Sequence, residues 1–470
     1  MSSSAPARDA ALADWLAYLE TLHPKAIDLG LDRIRAVAAR LELSLDCVKI
    51  TVAGTNGKGS TCAMLESILL DAGYHVGEYT SPHLLRFNER IRIDGQEAGD
   101  ADIVAQLERI ESVRGDVTLT YFEMTTLAAL LLFQAARLDV VVLEVGLGGR
   151  LDAVNLIDAD CAILTSVDLD HMAYLGNTRE AIGWEKAHIF RPGKPAICAD
   201  PVPPQTVIDY AQEIGADLWR FGTDFNYSGD RQQWAYGGRD QRRNALGYPA
   251  LRGANQLLNA SAALAALETL RDRLVVTQQN VRNGLLHVSL PGRMQILPGL
   301  PATILDVGHN PHAASALGQN LDSMGHYPHT YAVVGMLHDK DIETTLSRLA
   351  NRVDRWMCVT LGGPRGTSAQ ELADVVRRIT GEETPVDPFI AQTAEVSRAS
   401  GDHKPGVRAK PRPAVASRDV QVSTFDSPEQ AFAEARKLAT DNDRILVFGS
   451  FATVGPVLQV LRLEGRDVLS

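Results

Sequence analysis

A chain of 470 residues, 45% hydrophobic and 22% charged, exceeds one ordinary domain, carries enough apolar residues for a large core, and corresponds to roughly two to four domains. Its 46 Lys and Arg against 58 Asp and Glu leave a net charge of −12. Such a surface repels a phosphate backbone and excludes a general nucleic-acid coat, although a local nucleotide pocket needs only a few donors and a metal.

In chain order, the opening MSSSAPARDAALADWLAYLE has acids and polar residues where a signal peptide needs an apolar run, and predicts an amphipathic helix. The most apolar stretch, Thr126 to Phe133, is followed by Gln134 and Arg137 and falls short of the roughly 20 apolar residues that span a bilayer. Cys47, Cys62, Cys161, Cys198 and Cys358 include no CxxC pair, which argues against a disulfide framework and for a reducing compartment. A protein that is soluble and cytoplasmic, with no membrane partner, is the expectation.

Short β-branched runs alternate with helix-length spacers: Val48 to Ala53, His75 to Thr80, Asp139 to Val145 and Cys161 to Val167. That rhythm predicts an α/β fold with a parallel sheet. Phe225 to Asp240 alternates and turns like a small antiparallel insertion. After Pro291-Gly292-Arg293 the rhythm restarts with ATILDVG, YAVVGML, RWMCVTL and RILVFGS, around helix-like segments Pro311 to Met324 and Pro428 to Thr440. Two domains are therefore expected, residues 1–296 and 300–470. Ser397 to Arg418 holds three prolines, six Lys or Arg and one acid without apolar periodicity, and predicts a disordered surface insertion rather than a basic arm.

The strongest local signal is VAGTNGKGST, Val52 to Thr61, directly after a strand and opening a helix that should be amphipathic and run to about Leu70. Gly54, Thr55, Asn56, Gly57, Lys58, Gly59 and Ser60 form a phosphate-loop pattern in which backbone N–H groups meet phosphate oxygens at a helix N-terminus and Lys58 adds a charge. The usual GxxxxGK[ST] spacing is not met, because position 52 is Val and Gly59 separates Lys58 from Ser60. Taken alone, this loop is also compatible with a plain Gly-rich turn.

AGTNGKGST, followed in order by YTSPHLLRFNERIRIDG, LEVGLGGRLDAVN and LDVGHNPHA, resembles the folylpolyglutamate synthase family, in particular its bacterial bifunctional dihydrofolate synthase/folylpolyglutamate synthase branch, related to the Mur ligases. The resemblance runs from IDLGLDR (Ile27 to Arg33) to VFGSFATVG (Val447 to Gly455). It implies a P-loop-containing, Mur-ligase-like N-terminal domain and a Rossmann-like C-terminal domain, with the active site in the cleft between them. The implied reaction phosphorylates a carboxylate with ATP, after which the amine of L-glutamate displaces phosphate from the acyl phosphate. The substrates would be dihydropteroate and tetrahydrofolate, and the protein a monomer. Folylpolyglutamate synthase activity alone, a Mur-type ligase acting on a UDP-sugar peptide, and a nucleotide-regulated binding protein without ligase chemistry remain open beside it.

Matched residue by residue, the resemblance puts Ser81, Glu144 and His171 around Mg²⁺, with Asp170 able to orient His171. Two Mg²⁺ sites are implied, and whether a monovalent cation assists is left open. Lys186 in GWEKAHIF reads by itself as a solvated helix lysine; the resemblance makes it a carbamylated lysine, an anion beside the second metal. Asn259 corresponds to a nucleotide contact of the first domain. Arg293, Asp306 and His309 correspond to nucleotide contacts from the C-terminal half, Arg293 also acting on the transferring phosphoryl group. Ile27, Asp28, Leu29 and Gly30, then Thr120, Tyr121, Phe122 and Glu123, then Leu151, Asp152 and Ala153, correspond to contacts with the pterin and aminobenzoate. Tyr121 and Phe122 could stack on flat rings, and Glu123 or Asp152 could pair with the amino-pyrimidinone edge.

Overall fold

In the computed structural model the described residues are 5–7, 10–230, 232–381 and 420–465. The expected insertion at Ser397 to Arg418 lies outside them. The chain divides into two compact units, one ending at Gln295 and the other beginning at Ile296.

The first unit is built on strands β1 (Val48–Ala53), β2 (Val76–Tyr79), β3 (Ile91–Ile93), β4 (Gln96–Glu97), β5 (Val140–Glu144), β6 (Cys161–Leu164), β7 (Pro195–Cys198) and β8 (Asp217–Arg220). They form one sheet in the order β4-β3-β2-β5-β1-β6-β7-β8. Pairing is parallel except for β2 with β3 and β3 with β4. The alternation seen in the sequence is therefore real, but both sheet faces are covered. Val141 and Leu143 of β5 point into one core with Trp15, Leu127 and Leu131, while Val140 and Val142 join Met64, Leu65 and Ala263 on the other side. Strands buried on both faces read as unbroken apolar runs, which is what DVVVLEV is.

The helix after the loop, Lys58–Asp71, corrects one expectation. It is not amphipathic: Ser60 through Glu66, Ile68 and Leu69 are all buried. It lies on the sheet and is covered in turn by helices Gln256–Thr269 and Gln278–His287, so no face is left for water. The insertion after β8 is a three-stranded antiparallel sheet of β9 (Asn226–Gly229), β10 (Trp234–Gly237) and β11 (Arg242–Leu246). Tyr236 ties it down, its hydroxyl donating to Glu268 Oε2 at 2.7 Å.

The second unit carries β12 (Gln295–Leu297), β13 (Ala302–Asp306), β14 (Thr330–Val334), β15 (Arg355–Val359), β16 (Gln421–Phe425) and β17 (Arg444–Phe448), in the order β12-β13-β17-β14-β15-β16. From β13 to β16 the pairing is parallel, with helices Pro311–Ser323, Ala369–Thr380 and Pro428–Leu438 between strands and Phe451–Leu463 after the last, a Rossmann-like arrangement. Strand β16, missed in the sequence, has an exposed, polar pattern on the sheet edge, so it lacks the apolar run that marks its neighbours. No helix among the described residues is long and apolar enough to cross a membrane.

Beneath the central strands two acids are buried together, Glu66 on the loop helix and Glu78 on β2. Burial raises the pKa of both carboxyls, Glu78 well above the usual range. Arg92 is their cation, 2.9 Å from Glu66 and 3.6 Å from Glu78. Removing one partner of a fully buried pair costs about 3–5 kcal/mol, and Arg92 is partly solvated, so Arg92→Met should destabilise by about 2 kcal/mol. Chemical denaturation checks this; an unchanged midpoint would show that both acids are neutral and need no cation.

Candidate active site

Parallel strands deliver ligands to their carboxyl ends, and here β5, β1 and β6 are neighbours, so the segments that follow them converge. The loop after β1 is clamped by the segment after β6. Thr55 N–H donates to Ser166 O at 2.8 Å and Asn56 N–H to Ser166 Oγ at 3.0 Å, while Thr165 Oγ1 donates back to Asn56 O at 2.7 Å. Thr55 Oγ1 exchanges hydrogen bonds with Asp168, 3.1 Å to its carbonyl and 3.0 Å from its N–H. Gly57 turns the chain into the helix at φ 88°, and a Cβ there would lie 2.5 Å from Asn259 Oδ1, so only glycine fits. No side chain caps this helix, so the N–H groups of its first turn remain available to an anion. Behind the loop, Gln256 Nε2 donates to Ser60 Oγ at 3.4 Å and Gln256 Oε1 accepts from Asn259 Nδ2 at 3.0 Å, which holds Asn259 against Gly57.

Two lysine amines meet at one oxygen. Lys58 Nζ lies 3.0 Å from the Gly54 carbonyl and Lys186 Nζ 3.1 Å from the same atom. Lys186 is buried at the end of helix Arg179–Ala187, which corrects the solvated reading of GWEKAHIF. Its burial depends on Gly149 of LGGR: a Cβ there would come within 2.7 Å of Glu185 O, so the helix end can pack directly on this turn. Burial first, and the charge of Lys58 second, lower the Lys186 amine to about 7; Asp170 and Asp152 oppose this only in part.

Glu144 closes β5 fully buried, 4.0 Å from Lys58 Nζ, and accepts from Ser81 N–H at 3.0 Å. Burial raises its carboxyl pKa, while Lys58, the Ser81 N–H, Arg293 and Arg90 pull the other way. His171 lies seven residues past the carboxyl end of β6, in the left-handed conformation at φ 51°. Asp170 Oδ1 accepts from the His171 backbone N–H at 2.8 Å, and the ring Nε2 stands 4.0 Å from Asp170 Oδ2. Among the described residues no three His, Cys, Asp or Glu side chains form a preformed metal cluster. Ser81 and Glu144 nevertheless form an adjacent pair carrying hard oxygen donors, of the type a small divalent cation takes. Arg293 falls in the first unit and Asp306 and His309 in the second. Asp306 Oδ1 accepts from Gly308 N–H at 2.7 Å, and His309 Nδ1 lies 3.0 Å from Val307 O.

The segments expected to read a ring system are also brought together. Gly30 N–H donates to Leu151 O at 3.3 Å, joining Ile27–Gly30 to Leu151–Ala153. Phe122 packs over Gly146, two residues past Glu144, and stacks on Tyr79 with ring centroids 6.0 Å apart. Tyr121 meets Phe87 edge-on at 6.2 Å, and the Arg90 guanidinium lies 5.7 Å from its ring. Arg90 Nε donates to His83 Nδ1 at 2.9 Å, and burial together with the Arg90 charge holds that imidazole near 4, neutral at physiological pH.

The two acids offered for the ring edge have structural partners that the sequence reading did not foresee. Thr120 and Glu123 form a capping box: Thr120 N–H donates to Glu123 Oε2 at 2.8 Å, and Glu123 N–H to Thr120 Oγ1 at 3.2 Å. The T-x-x-E spacing before an apolar run is the signal that would have revealed it. Asp152 accepts from Leu147 N–H at 2.8 Å and Val154 N–H at 3.0 Å, and burial raises its carboxyl to about 6.

An α/β unit with a phosphate loop and a lysine-flanked acid, followed by a Rossmann-like unit, defines an ATP-dependent ligase of the Mur type. The Mur ligase middle domain model matches residues 52–267 and the Mur ligase glutamate ligase domain model residues 292–451. The dihydrofolate synthase/folylpolyglutamate synthase of Escherichia coli (strain K12) is 45% identical over 96% of this chain and 95% of that protein. The structure of E. coli FolC in complex with DHPP and ADP is similar with a TM-score of 0.86 at 44% identity, covering 98% of this chain and all of that one. A bifunctional folylpolyglutamate synthase/dihydrofolate synthase with Mn, AMPPNP and L-glutamate bound is similar at a TM-score of 0.82 and 43% identity, over 98% of this chain and 100% of that one. The chain belongs to the dihydrofolate synthase/folylpolyglutamate synthase family of Mur ligases.

Lys58 is the cation inside the phosphate loop, so Lys58→Ala should abolish ATP consumption while the melting temperature stays close to that of the native protein. ADP formation beside a thermal melt checks this; turnover within a few-fold of wild type would remove Lys58 from the phosphate site.

Proposed function

We propose that this ligase joins L-glutamate to dihydropteroate, giving dihydrofolate, and adds further glutamates to tetrahydrofolate, each step driven by ATP through an acyl phosphate. The observation that carries this reading is continuity: Glu144 ends β5 beside Lys58, and Gly146, two residues on, lies under the Phe122 ring. A carboxylate tethered to a flat ring system seated against Phe122 would therefore lie next to the loop that holds ATP. Phosphorylating it brings two anions together, and screening must come from Lys58, from N–H groups at the uncapped helix and from Arg293. The amine of glutamate then attacks the acyl carbon, forming the amide bond as the acyl–oxygen bond to phosphate breaks and the amine loses its proton.

In this reading Ser81, Glu144 and His171 would hold a divalent cation, which when bound would neutralise charge on the γ-phosphate. Asn259 and the loop residues Gly54 to Ser60 bind the nucleotide in this reading. The five cysteines are free, which supports a reducing, cytoplasmic setting.

Lys186 is assigned to a carbamate that serves a second cation. Only a neutral amine attacks carbon dioxide: the nitrogen lone pair forms the N–C bond as one C–O π bond opens, and one proton is released, leaving an anion where an ammonium would face Lys58. With the Lys186 amine near 7 instead of its ordinary 10.5, the reactive form dominates above neutrality and is lost below it. A carbon-13 carbamate signal after labelled bicarbonate should therefore grow between about pH 6 and 8 and vanish in Lys186→Ala. Lys186→Ala should be nearly inactive and partly rescued by acetate. An unmodified, dispensable Lys186 would contradict the assignment.

Substrate choice is tested by ADP release with dihydropteroate, with tetrahydrofolate and with a UDP-sugar peptide, each with and without glutamate. Glutamate-dependent turnover with the two pteroyl compounds is expected; turnover only with the peptide would overturn the reading.

A further inference from the structure

Arg33, in the first turn of helix Asp32–Arg40, was not among the residues marked by the sequence. Its guanidinium reaches two of the three segments read above as the pteroyl slot. On one side NH1 donates to Asp28 Oδ2 at 2.7 Å, and NH2 donates to the Asp28 carbonyl oxygen. On the other side NH2 lies 3.3 Å from Glu123 Oε1, and Nε donates to Glu123 Oε2 at 3.4 Å. Glu123 is the same carboxylate that closes the capping box on Thr120. Asp28 is gripped further by Lys25 Nζ and His23 Nε2, both at 3.2 Å, and His23 Nδ1 lies 2.9 Å from Thr118 Oγ1, so this edge too is fastened to the segment before the helix.

These contacts use the guanidinium fork from both sides. The side chain is a quarter exposed, and its partners are chain segments, not open space. A fork that accepts one carboxylate on each side fixes the angle between the segments that carry them, which a lysine's point charge cannot do. Ile27 and Leu29 flank Asp28, and Phe122 precedes Glu123, so that angle sets how the apolar residues face one another. The third segment follows, because Gly30 is bonded to Leu151.

We propose that Arg33 is a positioning residue for recognition of the pteroyl ring: it holds Ile27–Gly30 against Thr120–Glu123 and so sets the width of the slot between Leu29 and Phe122. This rests on the reading, given under Proposed function, that a flat ring seats against Phe122. Loss of Arg33 then acts on ring binding and leaves the phosphate loop and the acyl-transfer step as they are.

The test is steady-state kinetics of Arg33→Met and Arg33→Lys beside wild type, with thermal melts. Expected are a KM for dihydropteroate raised by about tenfold in Arg33→Met and by about threefold in Arg33→Lys, with kcat and the KM for ATP within about twofold of wild type. Should Arg33→Met melt early, Arg33→Lys, which keeps the charge, carries the test by itself. A folded variant with an unchanged KM for dihydropteroate, an equal rise in the KM for ATP, or a fall in kcat alone would overturn the proposal. Wild-type protein that shows no turnover with dihydropteroate would instead overturn the reading of the slot, and the two failures are told apart by that control.

Discussion

The Gly54 carbonyl accepts from two lysines, and much of the active centre follows from that crowding. Two ammonium groups within hydrogen-bond distance of one atom, one of them fully buried, cannot both stay charged at little cost. Lys58 has Glu144 beside it; Lys186 does not, and it is the one whose proton is loosened. One side of the phosphate loop thus carries Lys58 beside an acid, and the other an amine whose proton burial loosens. The fold creates the situation by placing β1 between β5 and β6, so that the loop, the acid and the clamp at Thr165 and Ser166 arrive at one edge.

From that edge the chain runs directly into the segments proposed to bind the ring. Glu144 leads to Gly146 under Phe122, and the turn that follows is braced internally by Asp152. Arg33 and the capping box of Thr120 and Glu123 hold the facing wall. Activation of a carboxylate and selection of the molecule that carries it are thereby coupled by short covalent connections. A change in the turn between Gly146 and Ala153 would be felt at both.

Much of this was legible in the sequence, for reasons that separate local from tertiary signals. Val48–Ala53 followed by a glycine-rich turn is a local pattern, and the strand and helix start where it says. Strands β4 and β16 were not legible, since each is a sheet-edge strand without an apolar run and is defined by a neighbour's hydrogen bonds. The loop helix looked amphipathic because Ser60, Thr61 and Glu66 are polar; they are buried because partners elsewhere in the chain satisfy them, Gln256 for Ser60 and Arg92 for Glu66. Lys186 looked solvated for the same reason in reverse, since its burial depends on a close approach at Gly149, more than thirty residues away. At Glu123 the local signal was present and was read for a ligand contact, when T-x-x-E before an apolar helix already explains a carboxylate at that place.

The central claim is that this edge turns a substrate carboxylate into an acyl phosphate before the amine attacks. The most direct measurement uses dihydropteroate labelled with oxygen-18 in its carboxylate, turned over with ATP and L-glutamate, followed by mass analysis of the inorganic phosphate. One labelled oxygen should appear in the phosphate for each amide formed, because the carboxylate oxygen leaves with the phosphoryl group. Phosphate free of label, with amide formed at the normal rate, would contradict the account.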